Sequence, residues 1–247
     1  MKTDKQNHPQ SIPSPSGRAR EGLRLKVCGM KFEDNIEAVA SLQPDYLGFI
    51  FFEDSERHFG TQSIPELPSS IKKVGVFVDA DINFVIEKVN SLQLQAVQLH
   101  GIESPEYCDA LIHTQFISKE NDKPFNAEII KVFSIKDSFN FEVLKPYEAV
   151  CDYFLFDTKG KLPGGNGYTF DWNVLNDYPS EKPFFLSGGI GVDQAEDIKN
   201  FQNSSASKYC YALDVNSKFE LKPGLKNIEL LKEFKQLVFT NNENKNS

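Results

Sequence analysis

The chain has 247 residues, of which 40% are hydrophobic, 12% aromatic and 25% charged; that hydrophobic share supports a packed core and excludes disorder throughout. Its 27 basic and 35 acidic residues leave a formal charge of −8, which argues against a broad basic surface for nucleic acid, because phosphate backbones are held by clustered Lys and Arg. No apolar run approaches the roughly 20 residues that cross a bilayer.

The first 22 residues are polar, with Pro9, Pro13 and Pro15. They lack the apolar stretch of a secretory signal, and Asp4 and Glu21 argue against a transit peptide. Residues 1–22 read as a disordered lead. The first apolar run is Leu23–Cys28. Glu33 to Leu42 follows as a helix, with Ile36, Val39 and Ala40 on one face and acidic residues in the first turn. Tyr46–Phe51 is the second run, and a polar loop through Arg57 and His58 follows. After the third run, Lys73–Val78, the segment Asp81 to Val89 places Ile82, Val85, Ile86 and Val89 at helical spacing. The fourth run is Gln95–Leu99. Beyond it, Ser104, Pro105 and Glu106 read as an N-cap with Pro at the first helical position. The fifth run, Glu128–Val132, is followed by a short helix over Asp137 to Leu144. The sixth, Asp152–Phe156, leads into a Gly-rich loop at 160–167 and a turn or two of helix around Trp172 to Leu175. Pro183–Ser187 is the seventh, and Asp193 precedes a short polar helix to Asn200. Tyr209–Leu213 is the eighth. Asn227 to Val238 closes the series with Ile228, Leu231 and Phe234 inward.

The eight runs start 22 to 33 residues apart, about one strand–helix unit each. Continuous apolar strands alternating with helices indicate a parallel sheet covered on its faces. Eight units predict an α/β fold, a single-domain (β/α)8 barrel over residues 23–238, with 239–247 as a polar tail. The alternative is an open doubly wound sheet. The first strand–helix turn lacks a GxGxxG fingerprint, and no GxxxxGK[ST] occurs.

Cys28, Cys108, Cys151 and Cys210 form no CxxC pair, so neither a structural zinc site nor a disulfide scaffold is expected. A reduced, cytoplasmic protein is the default. The four histidines make no metal constellation and no HExxH occurs, so no metal is expected.

In such a barrel the active site lies at the carboxyl ends of the strands. The seventh strand ends in Ser187-Gly188-Gly189-Ile190-Gly191. There Gly188 and Gly189 would let backbone N–H groups approach a phosphate. Asn216 and Ser217 could add donors after the eighth strand. The bland alternative is a tight turn. Cys28 ends the first strand and would face the mouth. Its thiolate could act as a base if nearby positive charge lowered its pKa, although a buried Cys is more often a small hydrophobe. Cys108, Cys151 and Cys210 lack that position and read as structural. Asp157 ends the sixth strand, where it could donate a proton or merely cap the turn through Thr158. Arg57 could grip a carboxylate or stack on a ring, or simply be solvated. His100 could position a ligand hydroxyl or be structural.

Taken in order, several segments carry a resemblance. They are Lys26-Val27-Cys28-Gly29-Met30 with Asp34, Leu47-Gly48-Phe49-Ile50-Phe51, Val74-Gly75-Val76-Phe77-Val78 and Val97-Gln98-Leu99-His100-Gly101. Phe156-Asp157-Thr158, Gly164-Gly165-Asn166-Gly167 with Thr169-Phe170-Asp171-Trp172, Leu186-Ser187-Gly188-Gly189-Ile190, and Leu213-Asp214-Val215 with Pro223-Gly224 complete them. Together they resemble the N-(5′-phosphoribosyl)anthranilate isomerase family of tryptophan biosynthesis, from about Leu25 to about Val238. The resemblance implies a cofactor-free Amadori rearrangement of a small anionic phosphoribosyl substrate. It makes Asp157 the general acid and Cys28 the general base. It places Arg57 at the anthranilate end, Gln98 and His100 near the substrate, and Gly188, Gly189, Asn216 and Ser217 around the phosphate.

Two departures stand out. The family's Ser-Pro-Arg or Ser-Lys-Arg is Ser55-Glu56-Arg57 here, which adds a carboxylate. The family's Ser-Ser-Gly-Val-Glu is Asn216-Ser217-Lys218-Phe219-Glu220, which replaces a Gly in the phosphate loop with Lys218. Another phosphosugar barrel isomerase or epimerase would predict metal ligands or a lysine at a strand end. A non-catalytic phospholigand-binding barrel would tolerate loss of Cys28 or Asp157. Either a monomer or a homodimer is compatible. Because the implied substrate is an anion and the chain is acidic, the site must be locally positive, with Arg57, Lys26, Lys218 and backbone amides as the sources.

Overall fold

The computed structural model describes residues 22–60, 62–136, 138–158 and 171–239. Eight strands form a closed barrel: β1 (Arg24–Val27), β2 (Tyr46–Ile50), β3 (Lys72–Phe77), β4 (Ala96–Leu99), β5 (Glu128–Ile135), β6 (Tyr153–Thr158), β7 (Phe184–Leu186) and β8 (Cys210–Val215). Each pairs in parallel with its sequence neighbour, and β1 pairs with β8 to close the ring. The (β/α)8 expectation is met.

The strands read as apolar runs because both faces are buried. Side chains alternate along each strand. One set, including Tyr46, Val74, Ala96, Ile130, Leu155, Phe185 and Ala212, forms its own cluster, and the two-residue period places it inside the barrel. The other set, including Leu25, Leu47, Phe49, Val97, Phe154, Phe184 and Leu213, packs outward in the larger core. It is covered by α1 (Glu33–Ala40), α2 (Ile82–Leu92), α3 (Pro105–Ile112), α4 (Ala195–Gln202) and α5 (Ile228–Phe239). Asp81 and Ser104 cap α2 and α3 as their residue types suggest, accepting from the N–H groups of Asn83 and Tyr107.

The units are less regular than the sequence implies. Among the described residues no helix follows β2. After β5 the predicted helix over Asp137 to Leu144 is instead a 3₁₀ stretch at Phe141–Tyr147, capped by Asn140. Pro146 sits inside it and removes a helical N–H donor. After β6 another 3₁₀ stretch, Trp172–Asp177, replaces an α-helix. β5 and β8 run beyond the apolar segments because polar Ser134 and charged Asp214 continue the strands. Two small antiparallel hairpins also appear, Phe116–Ile117 with Pro124–Phe125 and Glu220–Lys222 with Leu225–Lys226. The expected Gly-rich loop, and all but the inner ends of the two tails, lie outside the described residues. No helix among those described is long and apolar enough to cross a membrane.

One buried ion pair shapes the rim. Lys131 on β5 and Glu103 are 3% and 2% exposed at their side chains, with Nζ 3.0 Å from Oε2. Lys131 also donates to the carbonyls of Leu99 (3.3 Å) and Gly101 (2.8 Å). Glu103 accepts from the N–H groups of Asp79 and Gly101. The pair thus straps both residues flanking His100. Lys131→Met leaves Glu103 charged and buried without its partner, and should cost about 3–5 kcal/mol. Urea unfolding measures this, and an unchanged midpoint would refute it.

Candidate active site at the carboxyl rim of the barrel

The two-residue period that fills the barrel interior carries on to its rim. Lys26 and Cys28 at β1, Gln98 and His100 at β4, Leu155 and Asp157 on β6, and Asp214 and Asn216 at β8 occupy successive inward positions. A cavity of about 500 Å³ opens at that rim. Cys28, Arg57, Gln98, His100, Asp157, Gly188, Gly189, Asn216 and Ser217 all line it. So do Thr158, Ser187, Asp214 and Lys218. Cys108, Cys151 and Cys210 do not.

Cys28 is 4% exposed. Gly48 on β2 makes room for it, since a Cβ there would lie 2.8 Å from the Cys28 sulfur. Lys26 and Asp214 are paired in the β1–β8 register. The fully buried Lys26 ammonium donates to Asp214 Oδ1 at 2.8 Å and acts electrostatically on the Cys28 thiol two residues along. Burial pushes the thiol above its ordinary value. Lys26 and Lys226 pull it down, Asp214 pushes it up, and burial prevails. The positive charge expected beside Cys28 is therefore present, but burial outweighs it and the thiol is not lowered. Burial alone would lower Lys26, yet Asp214 and Cys28 together hold it above its usual range.

Asp157 does two things. Oδ1 accepts from the Thr158 N–H at 3.0 Å, the capping bond. Oδ2 lies 3.4 Å from His100 Nε2 at the cavity wall. His100 Nδ1 in turn lies 3.3 Å from Gln98 Nε2. With the amide nitrogen as donor, Nδ1 accepts, and the ring proton of a neutral imidazole sits on Nε2 toward Asp157. Gln98 is 2% exposed, and its buried Oε1 has no protein partner among the described residues. That is an acceptor left for a ligand hydroxyl.

The glycines after β7 have φ of +93° at Gly188 and +69° at Gly189, a backbone region that other residues adopt only with strain. A Cβ on Gly188 would lie 2.2 Å from Thr158 Oγ1 and 2.6 Å from Thr158 N. Gly188 thus lets the β7 loop lie directly against the residue that Asp157 caps. The Gly191 N–H is taken by Gln194 Oε1 at 2.9 Å, so that amide of the loop is not offered to a ligand. Asn216 Oδ1 accepts from Lys226 Nζ at 2.7 Å, which leaves its amide nitrogen as the side chain's donor.

Arg57 is not the solvated loop residue of the bland reading. Its Nε donates to both Glu220 oxygens at 3.0 Å, and its Nη2 to Oε2 at 2.7 Å. No role falls to Glu220 or the fully buried Lys226 from the sequence alone. Glu220 stands at the Glu of the family's Ser-Ser-Gly-Val-Glu segment, which is the one signal that marks it, and no such motif or periodic pattern marks Lys226. Among the described residues no group of three or more His, Cys, Asp or Glu side chains is placed to hold a metal.

The chemistry on offer is a buried thiol on one wall, a carboxylic acid group with His100 on another, a left-handed glycine pair beside the acid, and an oriented guanidinium. This suits proton transfers on a phosphorylated anion held in place.

Known proteins share this arrangement of sequence and fold. A family described as N-(5′-phosphoribosyl)anthranilate (PRA) isomerase matches residues 25–237. The N-(5′-phosphoribosyl)anthranilate isomerase of Parabacteroides distasonis is 42% identical over 219 residues, covering 87% of this chain and 92% of the relative. That of Phocaeicola vulgatus is 38% identical over 203 residues, covering 82% and 91%. Phosphoribosyl anthranilate isomerase from Thermotoga maritima has a similar structure, with a TM-score of 0.68 at 26% identity over 88% of this chain and 98% of that one. A solved isomerase in complex with reduced 1-(o-carboxyphenylamino)-1-deoxyribulose 5-phosphate gives a TM-score of 0.65 at 25% identity, over 88% and 98%.

The Gly188 geometry makes a direct prediction. Gly188→Ala should force Thr158 and its loop apart and weaken binding of a phosphate-bearing ligand by about tenfold or more, the equivalent of one lost charge-assisted hydrogen bond. Calorimetric titration measures it, and unchanged affinity would contradict the close approach.

Proposed function

The chain belongs to the N-(5′-phosphoribosyl)anthranilate isomerase family, and we propose that its barrel mouth carries out that isomerisation with Asp157 as acid and Cys28 as base. The observation that carries this reading is that Cys28 and Asp157, at the ends of β1 and β6, line one and the same cavity. Asp157 gives a proton to the ribose ring oxygen as the C1′–O bond breaks and the nitrogen lone pair forms the C1′=N bond. The Cys28 thiolate then removes the C2′ proton. The C2′–H electrons become the C1′=C2′ bond, and the C=N electrons return to nitrogen. The enolamine tautomerises to the 1-amino-1-deoxyketose. Atoms and electrons balance, and no external oxidant or reductant takes part.

The surrounding groups have supporting roles in this reading. His100 orients Asp157 through Nε2, and Gln98 fixes the His100 tautomer while offering Oε1 to a sugar hydroxyl. Arg57 faces the anthranilate carboxylate. The phosphate lies by Gly188, Gly189 and the start of the Ser217 turn, with the Lys218 ammonium at the cavity wall. Remote contacts of this kind hold the reacting carbon over the thiolate. The working form is a monomer or a homodimer in the cytoplasm.

A fluorescence assay following consumption of freshly made phosphoribosylanthranilate tests the reading. Cys28→Ser and Asp157→Asn should each lower kcat by about 100-fold or more, the usual contribution of a positioned acid or base, with far-ultraviolet circular dichroism unchanged. Near-normal turnover in either variant would remove its assigned role. The pH profile is a separate check. Because burial holds the thiol above its ordinary value, the thiolate fraction grows as pH rises through neutrality and into the alkaline range. The free-enzyme kcat/KM should therefore climb with pH across that window. A rate already level below neutral pH would mean that Cys28 is not the titrating base.

A further inference from the structure

Glu220 opens the hairpin Glu220–Lys222 with Leu225–Lys226, whose register sets Glu220 directly opposite Lys226. Pro223 and Gly224 occupy the middle of its turn, and Gly224 has φ +82°, as a type II turn requires. That geometry aims the Gly224 N–H at Glu220 Oε1, 3.0 Å away. Lys226 Nζ donates to the same oxygen at 2.7 Å and also to Asn216 Oδ1 and the Asn216 carbonyl, at 2.7 and 3.3 Å. Asn35 of α1 clamps the Lys226 backbone through both its N–H and its C=O. The Glu220 side chain is 5% exposed and that of Lys226 is 0% exposed.

The Glu220 oxygens and the Lys226 ammonium are therefore committed within the protein, and Glu220 extends the anchor to Arg57. Glu220 takes the Nε and Nη2 edge of the guanidinium. A planar fork held along one edge has its plane and its opposite edge fixed. Among the described residues no acceptor pairs with Nη1, and Arg57 lines the cavity. Arg57 and Lys226 together outweigh Glu220 by one positive charge, so the anchor orients the guanidinium without cancelling the attraction for an anion.

We propose that Glu220 is a positioning residue of this enzyme: it presents Arg57 to the substrate's aromatic carboxylate, and Lys226 ties that anchor to Asn216 across the strand-eight loop. The proposal rests on the reading of Arg57 as the carboxylate contact. Glu220 itself does not touch the cavity, so its effect must run through Arg57.

The test compares two stable ligands, the reduced o-carboxyphenylamino product analogue and its phenylamino counterpart without the carboxylate. Their dissociation constants are measured by calorimetry for the unmutated chain, Glu220→Gln, Arg57→Ala and the double variant. The unmutated chain should prefer the carboxylated ligand by roughly 10- to 100-fold, the range for charge-assisted hydrogen bonds. Glu220→Gln should lose most of that preference, and it should raise KM more than it lowers kcat. In the double variant the preference should be no smaller than in Arg57→Ala alone. A preference unchanged by Glu220→Gln, or losses that add in the double variant, would overturn the proposal. If Glu220→Gln does not fold by circular dichroism, Glu220→Asp enters the same cycle, with the shorter carboxylate again expected to reduce the preference only when Arg57 is present. Turnover of phosphoribosylanthranilate by the unmutated chain is read separately. Its absence would sink the isomerase reading, while the ligand preference still decides the role of Glu220.

Discussion

Charge buried in and around the barrel rim, away from water, is the constraint on which the site depends. An isolated buried charge costs several kcal/mol, and such groups survive only when paired and hydrogen-bonded. The rim obeys this three times over. Lys26 meets Asp214, Lys131 meets Glu103, and Glu220 meets both Arg57 and Lys226. Each pair also holds a residue that faces the cavity. The first lies beside Cys28, the second straps the backbone around His100, and the third fixes Arg57 and Asn216. Satisfying buried charge and orienting the site are the same set of contacts.

This arrangement puts Cys28 and Asp157 in unlike surroundings. Cys28 lies deep, where burial keeps its proton on despite two nearby ammonium groups. Asp157 lies higher on the wall, 14% exposed at its side chain, with one oxygen spent on the chain and one toward His100. The buried Lys26 ammonium acts on the thiol electrostatically and so is placed to stabilise a thiolate as it forms. Its partner Asp214 limits how strongly it can do so.

Much of this was legible from residue order. A buried parallel strand has two apolar faces, so eight runs such as Tyr153 to Phe156 announce the barrel, and the carboxyl-end rule then selects Cys28, Asp157, His100 and the Gly188–Gly189 pair. What escaped depends on partners distant in sequence. Glu220 and Arg57 are separated by 163 positions, and no periodicity links them. Lys226 reads as one more surface lysine until the hairpin register buries it. The expected helix over Asp137 to Leu144, which among the described residues is a 3₁₀ stretch, escaped for a different reason: a barrel tolerates any connection that returns the chain and covers the sheet, so helix content is weakly imposed by the fold. Pro146 decides this case locally, and its meaning is clear only once the length of the connection is known.

The acidity of the chain is reconciled with an anionic substrate by the same local pairing. Charges spread over the surface act through water and are screened within about 8–10 Å at physiological salt, whereas groups at the rim act at contact distance in a partly dry cavity. Lys26 and Asp214 cancel, Arg57 and Lys226 exceed Glu220 by one, and Lys218 adds another positive charge at the wall. Asp54 and Asp157 line the cavity as well, so there is no net positive surplus, and what draws an anion is the placement of the cations. The Glu56 carboxylate also lines the cavity. Its backbone carbonyl accepts from Lys31 Nζ at 3.0 Å, which brings a further cation close to the Arg57 loop. Both departures from the family pattern change the charge along this cavity: Glu56 adds a carboxylate beside Arg57, and Lys218 puts a lysine in the lining where the family has glycine.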